Sequence, residues 1–318
     1  MNKKNPKIIF FGTPEFAAGI LRTLVENGFD VVAVVTQPDK KVGRKQAVVF
    51  SPVKKLATER RIKVFQPVDL KDAEVIRGLQ ETRADLFVVA AYGKILPKEI
   101  LEIPEFGAVN VHASLLPKFR GASPVQCAIL TGEKETGITL MQMNEKMDEG
   151  EILVQEKIEI EKDETADELL GKLGKLGAEM MAEFVPDWIR GKIKPIPQDS
   201  RKATLCRPVR REDGRISWNS TVGEIYRKWR AYHPWPGIFA IYKTKRSPKR
   251  LKLAKIETVS CAAIGEKPGK VIKYNQDVAV QAGKGLIILK KVQLEGKREM
   301  EIGEFLRGDV EFIGNILE

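Results

Sequence analysis

The spacing of apolar and polar residues changes several times along the chain, and each change marks an element. Lys7 to Phe11 is a compact run of large apolar residues, the pattern of a strand buried on both faces. Gly12-Thr13-Pro14-Glu15 ends it, with Thr13 placed to cap a helix and Pro14 suited to its first turn. Phe16, Ile20, Leu21, Leu24 and Val25 then recur at helical spacing until Asn27-Gly28, after which Val31 to Val35 is apolar again. Strand, helix, strand in this order predicts a right-handed parallel crossover. The alternation continues through a helix from Val53 to Arg61, a short strand at Val64-Phe65, a helix from Ala73 to Glu81 and a strand from Leu86 to Ala91. Further on, Pro124 to Leu130 predicts a helix, Gly137 to Met143 a strand, Ile152 to Ile160 a half-exposed strand, and Thr165 to about Ile189 a long helix. The first 189 residues therefore read as one α/β domain built on a Rossmann-like parallel sheet.

From residue 190 to 207 the chain is rich in Pro, Lys and Arg and loses any sustained periodicity, which predicts a linker. Residues 208–318 read as a second domain. Ile216 to Trp218, Phe239 to Tyr242, Leu251 to Ile256, Lys270 to Tyr274, Val278 to Ala282 and Leu286 to Val292 are short strand candidates separated by Gly, Pro and Asn, with one helix near Val222 to Arg230. This spacing predicts a small β-barrel. Its basic character and the aromatic stretch Ala231 to Gly237 fit an OB-like barrel, although composition does not separate that architecture from other barrels.

Composition narrows the function classes. With 318 residues and 43% hydrophobic content, the chain can fill two cores. The start of the chain has no signal-type apolar segment and nothing approaches membrane-spanning length, so a cytoplasmic protein is expected, with a monomer as the default. Cys127, Cys206 and Cys261 are far apart and without C-x-x-C spacing, which argues against a disulfide framework and a zinc site. The first strand-helix turn lacks G-x-G-x-x-G, which argues against a nicotinamide or flavin cofactor. The net charge of +11 is unevenly distributed: from Cys206 onward there are 23 Lys and Arg against 13 Asp and Glu. That asymmetry suggests a polyanionic partner for the carboxyl-terminal part. A second basic stretch, Thr36 to Phe50, carries Lys40, Lys41, Arg44 and Lys45 in a connection long for an α/β domain, where phosphate contact is the functional reading.

Candidate chemistry centres on Ala108 to Gly121, read as A-V-N-V-H-A-S-L-L-P-K-F-R-G. A strand would send Asn110 and His112 out on one face, and the chain has only two His. The strand before it is followed by Ala91 to Pro97 at its carboxyl end, so two neighbouring strand ends are expected to face one crevice. Asp148 lies in a polar hairpin-like loop, where an Asp by itself is more often a turn former than a catalyst.

Asn110-Val111-His112, with Ser114-Leu115-Leu116-Pro117, Arg120-Gly121 and Met147-Asp148-Glu149-Gly150, resembles the signature of the folate-dependent formyltransferases. Phe11 to Pro14, Thr36 to Asp39, Ser51 to Lys54, Phe65 to Pro67, Glu135 to Gly137 and Pro234 to Gly237 extend the likeness along the chain to the branch of that family whose substrate is methionyl-initiator-tRNA. The resemblance implies a Rossmann-like catalytic domain, an OB-like domain that touches tRNA, and 10-formyltetrahydrofolate as formyl donor without a metal. It makes Asn110, His112 and Asp148 the catalytic residues. Ser114, Leu115, Leu116, Pro117, Tyr92 and Leu96 become folate contacts, and Lys40, Lys41, Arg44 and Lys45 tRNA contacts. The chemistry suits these residue types. Formyl transfer to an amine passes through a tetrahedral carbon bearing an oxyanion, which needs fixed donors and a route for the amine's protons. The Asn110 amide can donate, and His112 can donate as imidazolium or accept as neutral imidazole, with a nearby carboxylate favouring the charged form. A formyltransferase for an amino-sugar nucleotide, or a non-catalytic basic RNA-binding protein, are the alternatives.

Overall fold

The computed structural model describes residues 5–42, 47–244, 247–260 and 265–318; Arg44, Lys45 and Cys261 lie outside them. The chain forms two compact units. The first holds the residues up to Ala128, Lys134–Ile160 and Glu168–Arg207, and the second holds Ile129–Glu133, Glu161–Asp167 and Pro208–Glu318.

The first unit is built on β1 (Lys7–Gly12), β2 (Asp30–Val35), a ribbon of β3 (Lys40–Val42) and β4 (Ala47–Val49), β5 (Lys63–Phe65), β6 (Leu86–Ala90), β7 (Ala108–His112), β8 (Arg120–Gly121), β9 (Glu135–Gln142), β10 (Ile152–Glu159) and β11 (Leu205–Cys206). Its helices are α1 (Glu15–Glu26), α2 (Pro52–Glu59), α3 (Ala73–Gln80), α4 (Lys98–Leu101), α5 (Pro124–Thr131) and α6 (Ala166–Ile189), of which α5 and α6 reach into the second unit. Seven strands form one sheet in the order β10-β9-β7-β6-β1-β2-β5. Pairing is parallel from β7 to β5 and antiparallel through β9 and β10. Central strands covered on both faces need apolar side chains at every position. β1 and β6 meet that demand, with Ile8 to Phe11 and Leu86 to Val89 all buried.

Polar signature letters explain how the strand ends are tied. Thr13 does not cap α1, whose N-cap is Pro14 without a side-chain bond. Its hydroxyl instead donates to the Tyr92 carbonyl (3.3 Å), which also receives Gln37 Nε2 (3.0 Å). Gln66 Nε2 donates to the Gln37 carbonyl and to Asp39 Oδ1, while Lys54 Nζ reaches Asp39 Oδ2 at 2.5 Å. Lys54 first and Gln66 second hold the Asp39 carboxyl below its usual range. Four strand ends are thereby joined, and Ser51 caps α2 by accepting from Lys54 N.

Residues 190–207 are not a free linker. Arg120 N and Ala122 N donate to the carbonyls of Thr204 and Cys206, and β11 pairs in parallel with β8. The segment runs alongside the loop that leaves β7.

The second unit contains α7 (Val222–Ala231), β12 (Phe239–Lys243), β13 (Pro248–Val259), β14 (Val271–Tyr274), β15 (Asp277–Gln281), β16 (Leu286–Leu294), β17 (Met300–Glu301) and α8 (Ile302–Gly308). The strands form an antiparallel sheet in the order β12-β13-β16-β15-β14, with β17 beside β16. Ile216 to Trp218 is not a strand; only Ile216 N reaches the edge of β12, at the Phe239 carbonyl. The chain's end covers both sheet edges. Gly314 N and Val271 N exchange bonds across residues 314 and 315 on the β14 side, and Glu318 exchanges two with Ile241 of β12. Among the described residues these bonds pair part of each edge ladder, at Ile241 and at Val271.

In the first unit's core, Tyr92 lies edge-on to Phe11 (centroids 5.5 Å apart) and its hydroxyl has no hydrogen-bond partner among the described residues. Burial pushes that phenol up to about 12. An unpaired buried hydroxyl carries a desolvation cost of about 1–3 kcal/mol. Tyr92→Phe is therefore expected to leave the thermal midpoint unchanged or raised; a loss above about 1 kcal/mol would mean that the hydroxyl has a partner.

Candidate active site

β7 places Asn110 and His112 on one face at its carboxyl end, opposite Met141 and Thr139 of β9. His112 is 6% exposed. Its Nε2 lies 3.0 Å from the Phe119 carbonyl, and because a carbonyl only accepts, this nitrogen carries the proton. Nδ1 faces Asp148 Oδ1 at 3.7 Å, too long for a hydrogen bond. The other carboxylate oxygen of Asp148 accepts from Gly121 N at 2.8 Å. Among the described residues Asn110 makes no side-chain hydrogen bond. The three residues singled out in the sequence are thus brought together by β7, the β9-β10 loop and the loop after β7.

That last loop is fixed from both sides. Thr139 Oγ1 donates to the Ser114 carbonyl (2.6 Å) and accepts from Leu116 N (3.1 Å) and Gln155 Nε2 (2.8 Å). Gln155 also donates to the Leu116 carbonyl. On the far side Phe119 N donates to Thr204 Oγ1, and the Cys206 thiol reaches the Phe119 and Arg120 carbonyls, each at 3.2 Å. Cys127 is the first cause, and burial the second, that push the Cys206 thiol well above its ordinary value. Cys206 is thus held as a protonated donor.

The structure separates the residues assigned to folate by resemblance. Ser114 is fully buried with its hydroxyl donating to the Lys118 carbonyl, Leu116 is buried, and the Tyr92 ring belongs to the core. Leu96 is buried in the same core as Tyr92 but also lines a cavity of about 710 Å³ with Leu70, Ile76, Ile95, Lys94 and Glu145. Tyr92, Ser114, Leu115, Leu116 and Pro117 do not line it. Glu145 belongs to the β9-β10 loop that carries Asp148, so one loop serves both the cavity and the polar cluster. Lys40 is exposed on the β3-β4 ribbon, and Lys41 lies on the same strand. Among the described residues no three His, Cys, Asp or Glu side chains are grouped to hold a metal, and no helix is long and apolar enough to cross a membrane.

Sequence reasoning missed Gln198 and the partners of Arg120. Arg120 is 4% exposed. Its Nε and Nη2 donate to Gln198 Oε1 (3.0 and 2.8 Å), and Nη1 faces Glu149 at 3.5 Å. Gln198 Nε2 donates to the carbonyls of Asp148 (2.9 Å) and Gly150 (2.7 Å). An isolated Gln in a proline-rich stretch offers no sequence signal for such a role.

Residues 6–185 match the formyl transferase family, and residues 208–310 match the formyl transferase carboxyl-terminal domain. The chain belongs to the formyl transferase family. Methionyl-tRNA formyltransferase of Caldanaerobacter subterraneus subsp. tengcongensis is 45% identical over 303 residues, 95% of this chain and 96% of that protein. The protein of the same name from Caldicellulosiruptor saccharolyticus is 43% identical over 305 residues, 95% of this chain and 96% of that one. A sugar 3N-formyl transferase, crystallised in the presence of dTDP and 5-N-formyl-THF, shares the fold at TM-score 0.64 and 20% identity, over 92% of this chain and 99% of that one. This formyl transferase is accordingly a formyl-transferring enzyme.

Gly121 shows how closely the loop is fitted. Its φ is +115°, and an added Cβ would lie 2.1 Å from the Cys206 carbonyl oxygen. Gly121→Ala is expected to separate β8 from β11 and to destabilise the protein by more than about 2 kcal/mol in urea unfolding. Gly19 in α1, where a Cβ meets nothing within 4 Å, is the control and should gain up to about 1 kcal/mol as Ala. Equal stability of the two variants would refute the tight β8-β11 fit.

Proposed function

We propose that this enzyme transfers the formyl group of 10-formyltetrahydrofolate to the free α-amino group of methionyl-initiator-tRNA, using Asn110, His112 and Asp148. The observation that carries the site assignment is the convergence of His112 Nδ1 and Asp148 Oδ1 at 3.7 Å beside Asn110 on the same strand face. Near-full-length identity to methionyl-tRNA formyltransferases supports the substrate. The excess of 23 cationic over 13 acidic residues from Cys206 onward suits a polyanion the size of tRNA. The reaction belongs to the cytoplasm, where charged tRNA is used, with a monomer as the default.

The residues present fit the folate. The cavity beside Leu96 combines apolar walls from Leu70, Ile76 and Ile95 with Lys71, Lys98 and Lys94, the last with its amine donating to the Pro67 and Val68 carbonyls, and with the carboxylates of Asp69, Glu99 and Glu145; apolar walls beside lysines suit a flat heterocycle with a carboxylated tail. When bound, 10-formyltetrahydrofolate supplies an electrophilic formyl carbon whose oxygen gains negative charge as the amine attacks. Asn110, with its amide uncommitted, donates to that oxygen. His112 keeps its Nε2 proton on the Phe119 carbonyl, so Nδ1 has the lone pair that takes a proton from the amine and would return it to N10 as the bond from N10 to the formyl carbon breaks and tetrahydrofolate leaves. Asp148 then stabilises the imidazolium across the 3.7 Å gap. Ser114 to Pro117 support this geometry through the backbone of their loop.

His112→Ala and Asn110→Ala are each expected to lower turnover by roughly two to four orders of magnitude with unchanged circular dichroism. Asp148→Asn should cause comparable damage because it keeps the volume and loses the charge. Near-parent turnover in any one of them removes that residue from the mechanism.

The basic stretch contacts tRNA phosphates through Lys40, Lys41, Arg44 and Lys45. Replacing all four by Ala should weaken methionyl-tRNA binding and flatten its salt dependence, by about 0.7 to 0.9 in the slope of log affinity against log salt per lost contact. Folate binding should be untouched. Parallel loss of folate affinity would instead place the ribbon at the folate site.

A further inference from the structure

We infer that Gln198 is a positioning residue that holds the Asp148 carboxylate in register with His112, an inference that rests on the catalytic reading above. Three consecutive residues of the β9-β10 loop are tethered by one unit. Gln198 Nε2 donates to the carbonyls of Asp148 and Gly150, and Arg120, itself held by Gln198 Oε1, faces the Glu149 carboxylate between them. The orientation of the amide is chemically determined. Its oxygen faces a guanidinium, which only donates, and its nitrogen faces two carbonyls, which only accept. No other side chain of this length both accepts from a cation and donates twice.

The tether matters because little else holds this part of the loop. Glu145, Lys146 and Met147 are exposed, and Met147 is 57% exposed despite being apolar. Asp148 has φ +52°, a left-handed turn conformation that Asp adopts more readily than most residues other than glycine. Gly150 is packed so tightly that a Cβ would stand 1.6 Å from the Gln142 carbonyl oxygen. The loop therefore enters its turn with a left-handed residue and leaves it through a closely packed one, and the Gln198 amide binds the carbonyl of each. Asp148 directs one carboxylate oxygen to Gly121 N and the other toward His112, so rotation of its backbone would move both. Arg120 and Gly121 are consecutive, so the residue whose guanidinium Gln198 holds precedes the one whose amide Asp148 accepts from.

Gln198→Glu is the decisive substitution. It keeps the size and the Arg120 partner, strengthens that pair by charge, and replaces two donations to carbonyls by repulsion. Formyl transfer to methionyl-tRNA is to be measured for the full chain carrying Gln198→Glu, Gln198→Ala, Asp148→Asn, and Gln198→Ala with Asp148→Asn, each checked by thermal melting. Both Gln198 variants are expected to lower kcat about 10- to 100-fold, with KM for each substrate within about threefold, as displacement of a reacting group by an ångström does. In the Asp148→Asn background Gln198→Ala should add almost nothing, since it acts through the group already lost. An impaired Asp148→Asn beside a Gln198→Glu of parent turnover sinks this inference alone. Multiplying effects in the double variant do the same. An Asp148→Asn with parent turnover sinks the catalytic reading and this one with it.

Discussion

The carbonyl of Phe119 is the fixed point on which the rest of the site depends. It receives His112 Nε2 and the Cys206 thiol, so it sets the tautomer of the imidazole and ties the loop after β7 to β11. A carbonyl pointing this way requires Phe119 in the left-handed region, φ +59°, and left alone the loop would relax. It is held by Thr139 and Gln155 on the β9-β10 side and by Thr204 on the other. Hydrogen bonds of this kind contribute only about 1 kcal/mol each to stability. Their effect here is directional: they convert a strand end into a site in which one nitrogen of His112 is committed and the other is available.

Much of this was legible in the sequence, for a physical reason. Buried parallel strands and amphipathic helices show their burial through apolar spacing, so β1, β2, β6, α1, α2 and α6 could be read from side-chain period. Asn110 and His112 could be singled out because polar residues at a strand end have few structural duties, whereas Asp148 was singled out through the family resemblance, since an Asp in a hairpin loop is more often a turn former. Residues 190–207 were misread as a linker because their attachment uses main-chain hydrogen bonds and the Gln198 amide, which leave no apolar period. Ile216 to Trp218 failed for the opposite reason. Its apolar residues are buried, with Ile216 and Trp218 at 4% and 5% exposure, but burial without a ladder partner is packing and not a strand.

The folate assignment shows a further limit of reading letters. Ser114 and Leu116 belong to the signature and Tyr92 to the loop that the resemblance puts beside the folate, and their side chains are spent inside the protein: a hydroxyl on Lys118, an alkyl group in the interior, a ring against Phe11. A motif can be specific because it builds the shape around a ligand without touching it. Thr13, Gln37, Asp39, Lys54 and Gln66 have letters scattered over four segments, and their hydrogen bonds meet at adjoining strand ends.

Charge and geometry are divided between the parts of the chain in a way that separates their responses to salt. His112 and Asp148 have side chains 7% and 14% exposed, and pairs so enclosed are screened little by ions in solution. The cations of the last third include exposed lysines such as Lys255, Lys273 and Lys284, and charges of that kind act over a Debye length of about 8 Å at physiological ionic strength. Closure of the second unit's sheet edges uses main-chain bonds from residues 314–318 and does not enlist those lysines. In the proposed function, capture of a polyanion and the chemistry on its amino group are assigned to groups of different dielectric environment. Ionic strength can weaken the first by orders of magnitude while the formyl-transfer step, once the substrate is bound, keeps its rate.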